Sequence, residues 1–137
     1  MMVSITLFYA ALCALILVVL SLKIVALRRR HQVGIGAGQQ AELERAIRVQ
    51  ANFVEYVPLA LLLLLLLELS AVLPVWLLHI LGGCLVVARV LHGFLGLNRS
   101  AGVSAGRFLG TALTWLVLLL CALAGLYMSL GRWLLAG

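Results

Sequence analysis

The sequence predicts an all-α integral membrane protein: one domain, residues 1–137, folded as a bundle of four transmembrane helices. Three observations lead there. Hydrophobic residues make up 66% of the chain and charged residues 10%, with a mean hydropathy of +1.25; a soluble domain of this length has no interior large enough to bury so much apolar surface. The apolar residues fall into four runs, each long enough for the roughly 20 residues a helix needs to cross a hydrocarbon core. The polar residues collect between the runs, at their ends, and along one edge of the second run.

The same composition removes other classes. A formal net charge of +6 invites a nucleic-acid reading, but the arginines cluster in short loops beside apolar spans. With no basic stripe of interleaved aromatics, the charge reports membrane orientation, and no nucleic-acid partner is expected. Cys13, Cys84 and Cys121 each lie inside an apolar run, without a CxxC pair or a Cys/His pairing at metal spacing. They read as small buried hydrophobes, and no metal site is expected. A cleavable leader would carry basic residues before its apolar run, whereas Arg28, Arg29 and Arg30 follow it; the first span at most serves as an uncleaved signal anchor.

The first helix is expected over residues 2–27, with Lys23 and Arg28 to Arg30 marking the end held in the cytoplasm. Residues 31–40, His-Gln-Val-Gly-Ile-Gly-Ala-Gly-Gln-Gln, read as a flexible loop. No strand precedes these glycines, so they are not a phosphate loop. A second helix is expected over 41–71. Its length of about 45 Å exceeds a hydrocarbon core of about 30 Å, so its first turns must project from the membrane or tilt. Glu42 and Glu44 suit the positive end of its macrodipole. Pro58, lacking an N–H, should loosen the backbone bond to Val54 and kink the helix. Glu68, near the far interface, reads as an interface-solvated carboxylate.

Leu73-Pro74 makes a tight hairpin, with the proline in the first turn of a third helix over 74–96. Trp76 suits an interfacial belt, and Gly82 and Gly83 allow a neighbouring helix to approach closely. His79 reads as a hydrogen-bonded structural residue, while Arg89 and His92, spaced i, i+3, share one face. Residues 97–104 form a polar loop in which Ser104 could cap a fourth helix over 105–134. Arg107 would sit in its first turns, opposed to the macrodipole, which hints at a functional reason for being there. Arg132 and Trp133 close the helix at the far interface.

Four spans put the two basic loops, 28–40 and 97–104, on one side, and the 71–74 hairpin with both termini on the other. The positive-inside rule then places the loops in the cytoplasm and both termini outside.

Residues 45–58 are the only place where ionisable and amide side chains crowd the edge of an apolar segment. With Arg45 as zero and about 100° per residue, Arg48, Asn52, Glu55 and Tyr56 fall at about −60°, −20°, −80° and +20°, a single polar stripe. Gln50, at about +140°, points to another surface. Because the stripe runs into Leu61 to Leu67, its deeper members lie at or below the membrane surface, where an ionisable side chain marks a functional-site candidate.

At Glu44-Arg45-Ala46-Ile47-Arg48-Val49-Gln50-Ala51-Asn52-Phe53-Val54-Glu55-Tyr56-Val57-Pro58 the sequence resembles the second-helix signature of the MAPEG superfamily, membrane-associated proteins of eicosanoid and glutathione metabolism. The spacing Arg-x-Gln-x-Asn-x-x-Glu-Tyr-x-Pro is specific, and the resemblance extends over essentially the whole chain. Its closest look is that of small bacterial inner-membrane members related to microsomal glutathione transferases. The resemblance implies a homotrimer of four-helix subunits, binding glutathione as co-substrate between neighbours near the cytoplasmic surface. It implies that Arg48, Asn52, Glu55 and Tyr56 hold glutathione from one subunit, while Gln50 and Arg28 or Arg29 reach it from the next. Glutathione carries two carboxylates and an ammonium, which suit arginine forks and a glutamate.

The family also places a thiolate-stabilising arginine near the start of the fourth helix, which here implies Arg107, with Arg99 as runner-up; a guanidinium favours the thiolate over the thiol. The thiolate would attack a lipophilic electrophile or a lipid hydroperoxide arriving through the bilayer. Eicosanoid-making members carry two tyrosines near the end of the third helix, where this chain has His92 and Phe94 or Leu97. That departure argues against leukotriene or prostaglandin synthesis and leaves His92 as the nearest equivalent contact. The expected function is therefore a glutathione-dependent transferase or peroxidase. The alternatives are a non-catalytic protein of the same fold that binds a small thiol or lipid, and a proton-driven exporter. The exporter would need a carboxylate deep in the bundle.

Overall fold

A computed structural model describes residues 3–96 and 105–136. Four helices, each long and apolar enough to cross a membrane, follow one another: α1 (Ile5–His31), α2 (Ala41–Ser70), α3 (Val75–Val90), extended by a π-helical turn (Leu91–Gly96), and α4 (Ala105–Ala136). The expected four-helix class and the order of its spans are as the apolar runs foretold. Among the described residues there is no strand.

The helix ends have local causes. α1 continues past its apolar run through Arg28, Arg29, Arg30 and His31, cations that suit the negative end of a helix dipole. Gln32 then turns left-handed at φ 55°, and the Val33 N–H bonds back to the Arg28 carbonyl at 3.0 Å. The 31–40 segment, expected as a flexible loop, wraps around Arg28, whose Nη1 donates to the carbonyls of Gly34 and Gly36 at 3.0 Å each. α2 runs through Pro58 without losing helical form. Pro74 stands just before α3, and its carbonyl accepts from the Leu77 N–H at 3.0 Å.

The third span departs from the single helix expected over 74–96. It is α-helical only to Val90 and π-helical from Leu91 to Gly96. The change comes where α4 closes in: a Cβ on Gly110 would stand 2.7 Å from the Ala88 carbonyl oxygen and from the His92 backbone nitrogen. Only a glycine permits that approach. π turns are uncommon and recur at functional sites.

α2 and α3 form the middle of the bundle, with α1 packed on one side and α4 on the other. The buried residues of α2, Leu43, Ala46, Val49, Phe53, Val57, Ala60, Leu64 and Leu67, recur every three or four positions and so form one seam. Cys13 and Cys121 lie in the main core beside Leu64 and Leu85, consistent with their reading as small apolar residues. The Tyr9 ring packs against Gly82, where a Cβ would overlap it. Its hydroxyl pairs with His79 Nδ1 at 3.1 Å, the structural role expected for that histidine.

Glu68 does more than face an interface. Its Oε1 accepts from the backbone N–H groups of Ser4 (3.0 Å) and Ile5 (2.9 Å), and its Oε2 from that of Thr6 (2.7 Å). No side chain within α1 caps its first turn, so a carboxylate from α2 supplies the missing acceptors and the negative charge that a helix N-terminus favours.

Candidate functional site

Among the described residues the most deeply buried charged side chain is Arg89 of α3, only 2% exposed. Its Nη1 donates to Asn52 Oδ1 of α2 at 3.0 Å and its Nη2 to Thr114 Oγ1 of α4 at 2.8 Å. Thr114 in turn donates to the Gly110 carbonyl at 2.7 Å. One guanidinium therefore ties three helices together at one level of the bundle. Cys13 of α1 and Tyr56 of α2 lie within its electrostatic reach. Arg89 Nε is buried with no acceptor, and among the described residues no carboxylate is bonded to this cation. A buried charge answered only by neutral oxygens, with one donor left over, is expensive to maintain unless something else uses it.

Immediately beside this hub, a groove of about 600 Å³ opens between α2, the π turn and α4. Asn52, His92 and Arg107 line it together with Phe108, Thr111 and Trp115. His92 is buried, Arg107 half-buried, and Phe108 and Trp115 exposed. The groove thus joins a polar corner, containing an arginine, a histidine and an amide, to an apolar wall that faces outward. A site of a few convergent polar groups on mostly apolar walls is the usual form of a small-molecule site.

The structure groups the candidate residues unevenly. Asn52, His92 and Arg107, from three different segments, meet in the groove. Tyr56 is half-buried on the same helix, while Arg48 and Glu55 are exposed on an outward face of α2. Gln50 does point away from that stripe, and its amide donates to Ser21 Oγ of α1 at 2.6 Å. Arg28 is engaged by the loop carbonyls, whereas Arg29 is exposed. Arg99 and Ser104 lie outside the described residues. Counting about 1.5 Å per residue, Glu55 lies about 20 Å along α2 from Glu68. It therefore stands near the middle of α2.

Arg89 carries more than the face shared with His92 that its i, i+3 spacing implies. The available signal was an arginine inside the third apolar span, where an ionisable side chain faces the bundle interior or a cavity.

Comparison with known proteins bears out the family resemblance. The MAPEG family profile matches residues 6–127. Inner membrane protein YecN of Escherichia coli strain K12 is 38% identical over 119 residues, covering 87% of this chain and 88% of that protein. The protein of the same name from Escherichia coli O6:H1 matches to the same extent.

Proposed function

Because this chain belongs to the MAPEG family, we propose that it is a glutathione-dependent transferase or peroxidase of a bacterial inner membrane, working on lipophilic electrophiles or lipid hydroperoxides. The observation that carries the reading is the groove in which Asn52, His92 and Arg107 meet beside the apolar surface of Phe108 and Trp115. Its polar corner suits the anionic tripeptide, and its apolar wall suits a second substrate that partitions into lipid. Arg107 is the residue assigned to hold the thiolate, since a guanidinium beside a sulfur favours the anion. With the thiolate formed, displacement at an electrophilic carbon makes a thioether and releases the leaving group. With a hydroperoxide, attack on the peroxide oxygen gives a sulfenic acid and an alcohol, and a second glutathione converts the sulfenic acid to a disulfide and water.

The site is completed by a neighbouring copy in this reading. Arg48 and Glu55 are exposed on a helix long and apolar enough to cross a membrane, and charged groups facing lipid are costly. A second subunit over that face would shelter them and leave them to the ammonium and carboxylates of glutathione. Of the two arginines at the end of α1, Arg29 is the better candidate to reach across, because Arg28 already holds its own loop. The assembly is then the homotrimer of the family, with basic loops and site on the cytoplasmic side and both termini outside.

One observation favours a second reading, a protein of this fold that binds a small thiol or lipid without turnover. Two residues of the motif are engaged inside the subunit, Asn52 by Arg89 and Gln50 by Ser21. Calorimetric titration of the detergent-solubilised protein with glutathione, combined with thiolate absorbance, decides between these readings. Binding with a thiolate signal and turnover of electrophiles supports the enzyme. Binding without turnover across a broad electrophile panel selects the second reading, and absence of binding removes both for glutathione. Arg107→Ala should move the thiolate titration curve to higher pH with little change in affinity; an identical curve would take the thiolate role from Arg107.

A further inference from the structure

A second polar recess, which shares no lining residue with the α2/α4 groove, lies between α1, the start of α2 and the π turn. It measures about 60 Å³ and is walled by Val19 and Lys23 of α1, Glu42 and Arg45 of α2, and Gly93 and Phe94 of the π turn. A single water needs roughly 10 to 15 Å³ on this scale, so the recess has room for a handful of waters or one phosphate-sized group. Two cations and one carboxylate line it, giving a net positive charge. It also sits at the start of α2, whose first-turn N–H groups receive no side-chain cap and whose dipole is positive there.

The surroundings add an apolar component. Val19 and Phe94 are both exposed, and Leu15 and Leu22 continue the exposed face of Val19 along α1. Lys23 can lie along that apolar surface while its ammonium turns toward the recess, as long cationic side chains do near membrane boundaries. An anion held between Lys23 and Arg45 would therefore have apolar helix surface directly beneath it, on the membrane side. A free inorganic anion has no use for that surface. A lipid with a phosphodiester headgroup uses both parts, and basic pockets between transmembrane helices are a recurring form of headgroup site.

We propose that this recess is a binding site for an anionic phospholipid of the leaflet on the 31–40 loop side, with its phosphate between Lys23 and Arg45 and an acyl chain along Leu15, Val19 and Leu22. Glu42 opposes the anion and limits the affinity. The site is independent of glutathione chemistry, since none of its walls belongs to the α2/α4 groove.

Native mass spectrometry of the protein released from mixed phosphatidylglycerol and phosphatidylcholine nanodiscs tests this. Wild-type protein should retain phosphatidylglycerol in preference to phosphatidylcholine. Lys23→Gln and Arg45→Gln should each reduce that preference on the order of fivefold, the effect of one interfacial cation. Glu42→Gln should raise it, a gain that loss of folding does not imitate. Equal retention of the two lipids by the wild type would overturn the proposal, as would a preference unchanged by both cation substitutions. Displacement of phosphatidylglycerol by millimolar inorganic phosphate alone would also overturn it, by showing that the acyl chain contributes nothing.

Discussion

Glu68 and Arg89 are both ionisable side chains within apolar spans, and both join helices distant in sequence, but their surroundings differ. Glu68 sits near the end of α2 and is half-buried, with both carboxylate oxygens filled by three backbone N–H groups of α1. Its charge meets the positive end of a helix, and its acceptors are occupied. Arg89 is 2% exposed, bonded to an amide and a hydroxyl, and keeps a buried Nε with no acceptor. One is a closed structural tie, while the other has unused hydrogen-bonding capacity next to an open groove. A charge inside a membrane bundle can therefore be purely structural when its geometry is saturated, and an unsaturated one directs attention to the neighbouring cavity.

The largest expected effect is at Arg89. Arg89→Ala removes two charge-assisted bonds between helices and leaves Asn52 and Thr114 short of partners, which should destabilise the bundle by roughly 3 to 5 kcal/mol. Reversible unfolding in mixed detergent micelles measures it. Arg89→Lys should recover only part of the loss, because an ammonium cannot span both acceptors with a planar fork. A negligible loss in both variants would remove the contrast with Glu68.

Next come the exposed members of the stripe. Arg48→Ala and Glu55→Ala should each weaken glutathione binding by roughly 1.5 to 3 kcal/mol, the range for a lost charge-assisted contact, while leaving the unfolding midpoint almost unchanged. Calorimetry on both variants separates this ligand role from the structural role of Arg89. Unaltered affinity in both would count against the proposed pose.

At the other end of the bundle, effects should fall on packing alone. Gly82→Ala places a methyl group against the Tyr9 ring, displacing it from His79 and costing about 2 kcal/mol by overpacking. Glu68→Ala should cost about 1 kcal/mol, as for loss of a helix cap, and should speed amide exchange at residues 4–6 specifically. Glutathione affinity should be untouched by either substitution. If Glu68→Ala proved as damaging as Arg89→Ala, the division between a saturated tie and an unsaturated hub would fail.

Much of the fold was legible because its signals are local. Four apolar runs gave four helices, Pro74 set the start of α3, and the stripe from Arg48 to Tyr56 followed from helical spacing within one segment. The exceptions left no signal in the local pattern. Arg28 gathers carbonyls six and eight residues away, so a glycine-rich stretch that reads as flexible is held in a defined turn. The π turn of Leu91–Gly96 depends on how closely Gly110 approaches from α4, which no periodicity within the third span records.

The sequence by itself determined the class, the order of spans and the family, because hydropathy, helical period and the Arg-x-Gln-x-Asn-x-x-Glu-Tyr-x-Pro spacing are all properties of contiguous chain. Tertiary structure alone decided how the polar groups are distributed. Asn52 and Arg89 are 37 residues apart, Arg89 and Thr114 are 25 apart, and Glu68 finds the start of α1 more than 60 residues away. Inside an apolar bundle each such group takes whatever partner the packed helices bring within about 3 Å, since water is not there to substitute. That selection turned Glu68 into a cap, put Arg89 at the centre, and brought Asn52, His92 and Arg107 to one groove.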